Sequence, residues 1–204
     1  MALKNKPKNS GSGTVFKNPL LEKLTKTHIS VPLILFGVIS TLLFVYGGRE
    51  GHYSWLLGAG LFVAGLMAFT LIEYIMHRFV FHLTPKTPKQ EKFAYTVHGV
   101  HHDYPKDKDR LAMPIPMSLT LSTGFFFLYK LIMGNFVFAF LPGFLIGYAS
   151  YLGVHYMVHA FQPPKNFFKV LWVHHGIHHY KDPGNAFGVS SPFWDFIFRT
   201  MPKK

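Results

Sequence analysis

Four long stretches without a charged residue restrict what this chain can fold into. They cover residues 29–46, 53–72, 111–129 and 131–154, which are 18, 20, 19 and 24 residues long. Because a helix needs about 20 apolar residues to cross a bilayer, each stretch predicts a membrane-spanning helix. Buried helices of a soluble protein are the alternative. Charged residues make up only 15% of the chain, however, which is too few to cover a water-soluble surface.

The order of these stretches predicts an all-α integral membrane protein with four transmembrane helices in two hairpins. Short turns are expected at residues 47–52 and near residues 130–135. Residues 1–28 are expected to form a cytoplasmic N-terminal arm, partly disordered because Lys, Asn, Ser and Gly alternate at its start. Residues 29–204 are expected to form the membrane domain. Its expected spans are residues 29–46, 53–76, 111–129 and 131–154, and its histidine-rich cytoplasmic cap comprises residues 77–110 and 155–204.

The basic residues fall on one side of the predicted membrane. The chain has 21 Lys and Arg residues and 9 Asp and Glu residues, a formal net charge of +12. Of the 21 basic residues, 19 lie before the first span, between the second and third spans, or after the fourth. Since positively charged segments next to spans stay in the cytoplasm, both termini and the cap are expected to be cytoplasmic. Anionic lipid headgroups then account for the charge, and no basic stripe interleaved with aromatic residues indicates nucleic acid.

Eleven of the 13 histidines lie in four short motifs at the cytoplasmic ends of the predicted spans. The chain has no cysteine, so disulfides and thiolate metal sites are excluded. A lone histidine is usually structural, which is how we interpret His28 and His52. Four clusters predict metal binding instead. The clustered histidines are His77 and His82; His98, His101 and His102; His155 and His159; and His174, His175, His178 and His179.

The spacing within the motifs predicts how the imidazoles are arranged. Residues three or four apart share a face of a helix, so each of the last three motifs should present two or three imidazoles in one direction. His77 and His82 are five apart and diverge; one arrangement has them straddle the end of the second span and reach different metals. Ten ligands are too many for one ion, whereas two ions with about five ligands each use them all. His174 is the eleventh histidine of the motifs. It either forms a hydrogen bond to a ligand or replaces His175 as a ligand.

Polar residues near the motifs are candidates for hydrogen bonds to the metal-bound imidazoles, which usually donate their second N–H to a carboxylate or carbonyl. Glu73 lies four residues before His77, on the same helical face, in an otherwise uncharged run. Asp103, Asp182 and Asn185 adjoin the second and fourth clusters, and solvated loop residues are the alternative for these three.

An all-imidazole site suits iron, zinc, copper and nickel. Neutral ligands leave the metal charge uncompensated, which favours redox chemistry with dioxygen. Zinc fits such a site but has no redox chemistry. Iron is therefore the expected working metal, with two iron ions per chain, and zinc can replace it during overproduction.

At these motifs the sequence resembles the fatty acid hydroxylase and sterol desaturase superfamily of membrane diiron enzymes, and within it the fatty acid 2-hydroxylases. Residues 71–82 look like the first histidine box of those enzymes, and residues 98–116 are similar to the second box and its trailing segment. Residues 155–159 and 174–195 look like the remaining boxes and the C-terminal signature. The resemblance carries the metal ligands over to His77, His82, His98, His101, His102, His155, His159, His175, His178 and His179.

The resemblance implies an oxygenase that hydroxylates a fatty-acyl chain, expected at carbon 2, with dioxygen and external electrons. Only about 28 residues precede the first span, so a separate electron donor is expected: a cytochrome b5, a ferredoxin or a reductase. The small chain without a fused cytochrome favours the bacterial inner membrane over the endoplasmic reticulum. The other expected partners are the membrane and a lipid or fatty-acyl substrate.

An acyl chain calls for an apolar cavity between the span ends and the cap. Candidate lining residues are Phe79, Phe81, Tyr104, Phe187 and Phe193, and Arg110 is a candidate anchor for the headgroup. Desaturation and sterol or carotenoid hydroxylation remain alternatives within the superfamily. A metal transporter or sensor is an alternative of another class. Transport sites tend to lie near the bilayer midplane, whereas the central parts of these four runs contain no histidine.

Overall fold

The computed structural model describes residues 6–202, and within them the chain is helical without a β-strand. Nine α-helices lie in this range. Two π-helical turns, Met76–Phe81 and Tyr95–Gly99, and two 3₁₀ turns, Lys108–Arg110 and Gly134–Phe136, interrupt or join them. The α-helices are α1 (Pro19–Leu24), α2 (Ser30–Arg49), α3 (Trp55–Ile75), α4 (Pro88–Ala94), α5 (Val100–Asp103), α6 (Ile115–Met133), α7 (Val137–Ala160), α8 (Lys169–Tyr180) and α9 (Phe193–Ile197).

Local signals set the ends of the four long helices. The Ser54 hydroxyl accepts a hydrogen bond from the Leu57 amide and caps the start of α3. Gly134, at φ 59°, ends α6, because this left-handed region favours glycine. The first turn differs from the prediction. Although it was expected at residues 47–52, α2 continues through Gly47 and Gly48 to Arg49, and only residues 50–54 connect it to α3.

The long helices form two hairpins, α2 with α3 and α6 with α7, whose tips meet at one end of the molecule. The His52 Nδ1 and Asn135 Nδ2 atoms lie 3.2 Å apart, and the Tyr53 hydroxyl donates to the Phe138 carbonyl at 3.3 Å. The histidine motifs lie at the opposite ends of the helices. By length and composition, three helical stretches are apolar enough to cross a membrane: Ser30–Arg49, Trp55–Phe81 and Lys108–Ala160.

The third of these stretches contains both α6 and α7, separated by the turn at Gly134. The expected helices are therefore all present. The number of membrane crossings and the cytoplasmic orientation stay predictions.

Helix α7 packs against α2, α3 and α6, and its closest approach is to α3. A Cβ atom at Gly143 would lie 1.8 Å from the Phe62 carbonyl oxygen, and one at Gly65 would lie 1.9 Å from the Phe140 carbonyl oxygen. The two backbones therefore touch, which only glycine permits at these positions. The apolar core around this crossing comprises Phe36, Phe69, Val137, Leu141, Phe144, Leu145 and Ala149.

The N-terminal arm lies across the cap. The sequence predicts partial disorder over residues 1–28, but residues 6–28 make specific contacts there. The Lys8 amide donates to the Asp103 carbonyl at 2.7 Å. Arg110 donates to the Gly13 carbonyl at 2.8 Å and pairs with the Glu22 carboxylate. One buried guanidinium thus holds the arm. The first five residues of the predicted disordered arm lie outside the described residues.

Candidate metal centre

The ten histidines expected to bind metal converge in two groups of five. Within each group, one ring nitrogen per residue lies within 4.8 Å of the others. Group I comprises His77, His82, His98, His102 and His178, and group II comprises His101, His155, His159, His175 and His179. His28 and His52 lie outside both groups and contact Ser30 and Asn135, which agrees with a structural role.

A π-helical turn brings His77 and His82 to the same group. The His82 amide donates to the His77 carbonyl at 3.1 Å, a bond between residues five apart. In this wider turn residues five apart lie above one another, and the two imidazole centroids are 5.0 Å apart. The prediction that these two side chains diverge is therefore wrong, and one metal ion would be within reach of both.

The second motif divides between the groups. His98 and His102 are four apart and both belong to group I, whereas His101 turns to group II. Neighbouring residues on an α-helix point about 100° apart, so His101 faces away from His102. Residues 175–179 divide in the same way, with His178 in group I. The prediction that each motif points in one direction is therefore wrong for these two motifs, although His155 and His159 do share a group.

Backbone carbonyls orient three of the imidazoles. His77 donates from Nδ1 to the Phe187 carbonyl, His155 to the Leu111 carbonyl at 3.0 Å, and His178 to the Asn185 carbonyl at 2.8 Å. A carbonyl oxygen only accepts, so Nδ1 carries the hydrogen in each ring. The Nε2 atom of each therefore keeps its lone pair.

The Nε2 atoms meet at the centre of each group. His82 and His102 bring theirs to 3.2 Å, and His159 and His175 bring theirs to 2.8 Å. An imidazole protonated on Nδ1 offers only a lone pair at Nε2, so two rings in that tautomer repel one another at these distances. A cation between them would turn this repulsion into coordination. The donor set of each group therefore fits a metal ion that prefers imidazole nitrogen.

Burial keeps the cap histidines uncharged. It lowers the pKa of His82 to about 2, with a smaller contribution from neighbouring His77. Burial likewise lowers the pKa of six other histidines of the two groups, those outside the apolar helical stretches, well below the usual range, and neighbouring imidazoles add to the effect. These residues are His98, His101, His102, His175, His178 and His179. At neutral pH their lone pairs are thus available to a metal.

The polar side chains that were predicted to accept hydrogen bonds from the metal-bound imidazoles bond to other groups instead. The Glu73 carboxylate accepts from the Val189 and Ser190 amides at 2.8 and 2.9 Å and from the Ser190 hydroxyl at 2.5 Å. It holds a loop and bonds to no imidazole among the described residues. Asp182 accepts from the Asn185 side chain at 2.8 Å. Asn185 does support a ligand, but through its backbone carbonyl.

His174 and Asp103 also lie outside both groups. His174 turns to Asp195, at 2.9 Å between Nε2 and Oδ2, and leaves His175 in the cluster. The Asp103 carbonyl accepts the bond from the arm at Lys8.

Sequence reasoning missed Asp195 and the carbonyls of Phe187 and Leu111. Every residue has a carbonyl, so no sequence signal marks the two that are used. Asp195 did carry a signal, since it is the only charged residue between 183 and 198. Its carboxylate is fully buried. Burial opposes its ionisation, but hydrogen bonds from His174, Thr200 and two amides together lower its pKa below the usual range.

An apolar cavity of about 370 Å³ adjoins both groups. His98 of group I and His101 and His155 of group II lie on its wall. Most of the remaining wall is apolar and comes from α1, α3, α6 and α7. It includes Leu21, Leu24, Phe69, Ile72, Met76, Leu111, Met113, Met117, Leu121, Phe125, Phe144 and Leu152.

Only some of the residues predicted to line the cavity lie on its wall. Phe81 lies on the wall, whereas Phe79, Tyr104, Phe187 and Phe193 do not. The candidate headgroup anchor Arg110 reaches the wall. Its guanidinium is bound by Glu22 and Asp107, however, so it is already paired.

Comparisons with known proteins identify the family to which the chain is similar. Residues 62–200 match the fatty acid hydroxylase family model. The chain is 37% identical over 203 residues to a ceramide very long chain fatty acid hydroxylase of Schizosaccharomyces pombe, covering 95% of this chain and 56% of that protein. It is 33% identical to a dihydroceramide fatty acyl 2-hydroxylase of Arabidopsis thaliana, covering 92% and 79%. It is 31% identical to the fatty acid 2-hydroxylase of Mus musculus, covering 92% and 56%.

One solved structure is similar throughout the chain. It is that of full-length Scs7p, in which only the hydroxylase domain is visible. The TM-score is 0.87 at 33% identity, and the match covers 95% of this chain and 74% of that one. The chain spans little more than half the length of the fission yeast and mouse relatives.

Proposed function

The chain belongs to the fatty acid hydroxylase family, and we propose that it hydroxylates a fatty-acyl chain at carbon 2 with dioxygen and external electrons. One observation carries the proposal: His98, His101 and His155, drawn from both imidazole groups, line one wall of a 370 Å³ apolar cavity. A substrate in that cavity lies beside both metal positions. The names of the relatives, which include fatty acid 2-hydroxylases, support carbon 2.

The ten histidines would hold two iron ions, five nitrogens to each. When bound, iron supplies the chemistry that activates dioxygen and oxidises an unactivated C–H bond. The balance is that of a monooxygenase. One oxygen atom enters the new alcohol and the other leaves as water, with two electrons and two protons supplied from outside. The part of this chain is to orient the imidazoles, through the carbonyls of Leu111, Asn185 and Phe187, and to keep the ligands unprotonated.

The cavity would select and place the substrate. Oxidation at carbon 2 requires the carbonyl end of the acyl group to lie near the histidines, since carbon 2 is bonded to the carbonyl carbon. The rest of the chain then extends along the apolar wall, where Phe125 and Phe144 make van der Waals contact with methylene groups. The same apolar wall keeps bulk water from the reacting carbon.

The cellular setting follows from the same relatives. Their names refer to ceramide and dihydroceramide, so an amide-linked acyl chain is the first substrate to test. An electron donor of the cytochrome b5, ferredoxin or reductase type would deliver the electrons at the cap. The relatives described above are eukaryotic, which does not favour the bacterial inner membrane expected from the length of the chain.

Lipid mass spectrometry under ¹⁸O₂ tests the proposal, on cells that express the intact chain or its His102→Ala variant. We expect a hydroxy-acyl lipid that carries one labelled oxygen only with the intact chain, and fragmentation will locate it at carbon 2. Loss of two hydrogens without added oxygen would instead identify a desaturase. A labelled sterol or carotenoid, or an unchanged lipid profile in cells that also supply the reductant, would refute the acyl hydroxylase.

A further inference from the structure

The loop of residues 185–190 supports group I. It brings the Asn185 carbonyl to His178 and the Phe187 carbonyl to His77, and both histidines belong to group I. In group II, the carbonyl that accepts from an imidazole is that of Leu111, which lies on a different segment. Displacing the loop would therefore disturb the orientation of two ligands in one group and none in the other.

The loop has an unfavourable local conformation. Ala186 lies between Asn185 and Phe187, whose carbonyls accept from the two imidazoles; it has φ 58° and is fully buried. A left-handed conformation at a residue other than glycine is unfavourable and persists only where the surroundings impose it. The loop is also tightly packed, since a Cβ at Gly188 would lie 2.2 Å from the Ser191 carbonyl oxygen. Something outside the loop must hold this shape.

Asp195, at 0% exposure on α9, supplies that restraint at Phe187 and Gly188, beside the Glu73 carboxylate, which accepts from the Val189 and Ser190 amides. Its Oδ1 accepts from the Phe187 amide at 2.9 Å and from the Thr200 hydroxyl at 2.7 Å. Its Oδ2 accepts from the Gly188 amide at 2.7 Å and from His174 Nε2 at 2.9 Å. Both carboxylate oxygens are thus saturated, each by one loop amide and one side chain. Both backbone polar groups of Phe187 are therefore bonded: its amide donates to Asp195, and its carbonyl accepts from His77.

We infer that Asp195 is a positioning residue for the group I metal, acting through the loop of residues 185–190. The inference rests on the proposed dimetal function. Through the carbonyls of Asn185 and Phe187, Asp195 sets the orientation of His178 and His77. Its bond to His174 ties the loop to α8, the helix that carries ligands of both groups. The effect of losing Asp195 should nevertheless be uneven, because the loop carbonyls reach group I alone.

The variant Asp195→Asn separates this role from simple filling of space. It keeps the size of the side chain but replaces one accepting oxygen by a donating NH₂ group. At least one of the four hydrogen bonds, that from the Phe187 or the Gly188 amide, then becomes donor against donor, and Thr200 or His174 must reverse its role. Loss of an outer hydrogen-bond partner typically weakens metal binding by about 10- to 100-fold. We expect that loss at group I, with affinity at group II unchanged.

The experiment measures bound metal per chain by elemental analysis after equilibration of the purified full chain with a chelator of intermediate affinity. The intact protein should retain two ions and Asp195→Asn one. Adding His82→Ala, in group I, should remove no further metal, whereas adding His159→Ala, in group II, should remove the second ion. Glu22→Gln is the matched control, because this carboxylate is engaged with Arg110, away from the loop, and should leave both ions in place.

The outcomes separate this inference from the proposed function. If the intact protein binds two ions and Asp195→Asn also keeps both, or loses both together while circular dichroism shows native helix content, the positioning role is refuted and the hydroxylase proposal is untouched. If the intact protein binds no metal, both fail. Should Asp195→Asn not fold, His174→Leu removes one of the four donors. It should weaken metal binding at group I by less than the full 10- to 100-fold range, without changing metal binding at group II. An equal effect on the two groups, or no effect on either, would overturn the inference.

Discussion

The metal-free protein should lose its cap in mild acid. Seven histidines of the two groups lie outside the apolar helical stretches Trp55–Phe81 and Lys108–Ala160, and burial lowers the pKa of each, that of His82 to about 2. In the unfolded chain they titrate near 6.5. Below that pH the unfolded state binds more protons than the folded state. The contribution of these histidines to the free energy of unfolding is therefore fully present above about pH 6.5 and is lost as the pH decreases.

The size of the effect follows from the number of groups. At about pH 5.5 each histidine that remains unprotonated in the folded state lowers the free energy of unfolding by about 1.4 kcal/mol. Seven such residues correspond to about 10 kcal/mol, which is comparable to the whole stability of a typical domain, about 5–15 kcal/mol. Bound metal competes with protons for the same nitrogens, so the metal-loaded protein should unfold at lower pH.

Tryptophan fluorescence provides the assay. Trp172 and Trp194 lie in the cap, and Trp55, at the other end of the molecule, can be replaced by Phe. The emission of chelator-stripped protein in detergent, followed from about pH 8 to pH 4, should show a steep transition between about pH 6.5 and 5.5, which moves to lower pH after metal is restored. The variants His28→Ala and His52→Ala should not change the pH of this transition. A stripped protein that keeps its cap at about pH 5, or takes up fewer than about two protons on unfolding, would refute the reasoning.

Three further predictions follow from particular contacts. His102→Ala should reduce bound metal and abolish turnover while His28→Ala does neither, as measured by elemental analysis and product formation; equal effects would undo the ligand assignment. Gly143→Ala should lower thermal stability in detergent by about 1–3 kcal/mol or more, since the new methyl group meets a backbone oxygen 1.8 Å away. Gly153→Ala, with nothing within 4 Å, should not, and similar melting of the two variants would contradict the close helix crossing. Arg110→Ala should free the arm and accelerate tryptic cleavage within residues 6–28 without metal loss; unchanged cleavage would show that the guanidinium does not hold the arm.

The sequence alone predicted most of the helical architecture and the identity of the converging histidines. Uncharged runs of 18 to 24 residues identified the long helices, because length and apolar character are properties of a continuous segment. The four motifs marked eleven histidines as a metal site, because no common structural role requires so many, and the family resemblance selected the ten that converge. These features are local, and each can be read within a window of a few turns. The hairpin pairing also followed, since short connections force neighbouring helices to run antiparallel.

Only the tertiary structure decided how the ten imidazoles divide and what holds them. The π-helical turn at Met76–Phe81 put His77 and His82 in one group, and the rotation of about 100° between neighbouring helical residues separated His101 from His102. The carbonyls that orient His77 and His178 come from a loop more than 100 residues after the first of them, held by Asp195. Carbonyl groups occur at every residue, and the choice among them depends on contacts between distant segments. That is why the sequence predicted which histidines converge, and the fold determined how they are arranged.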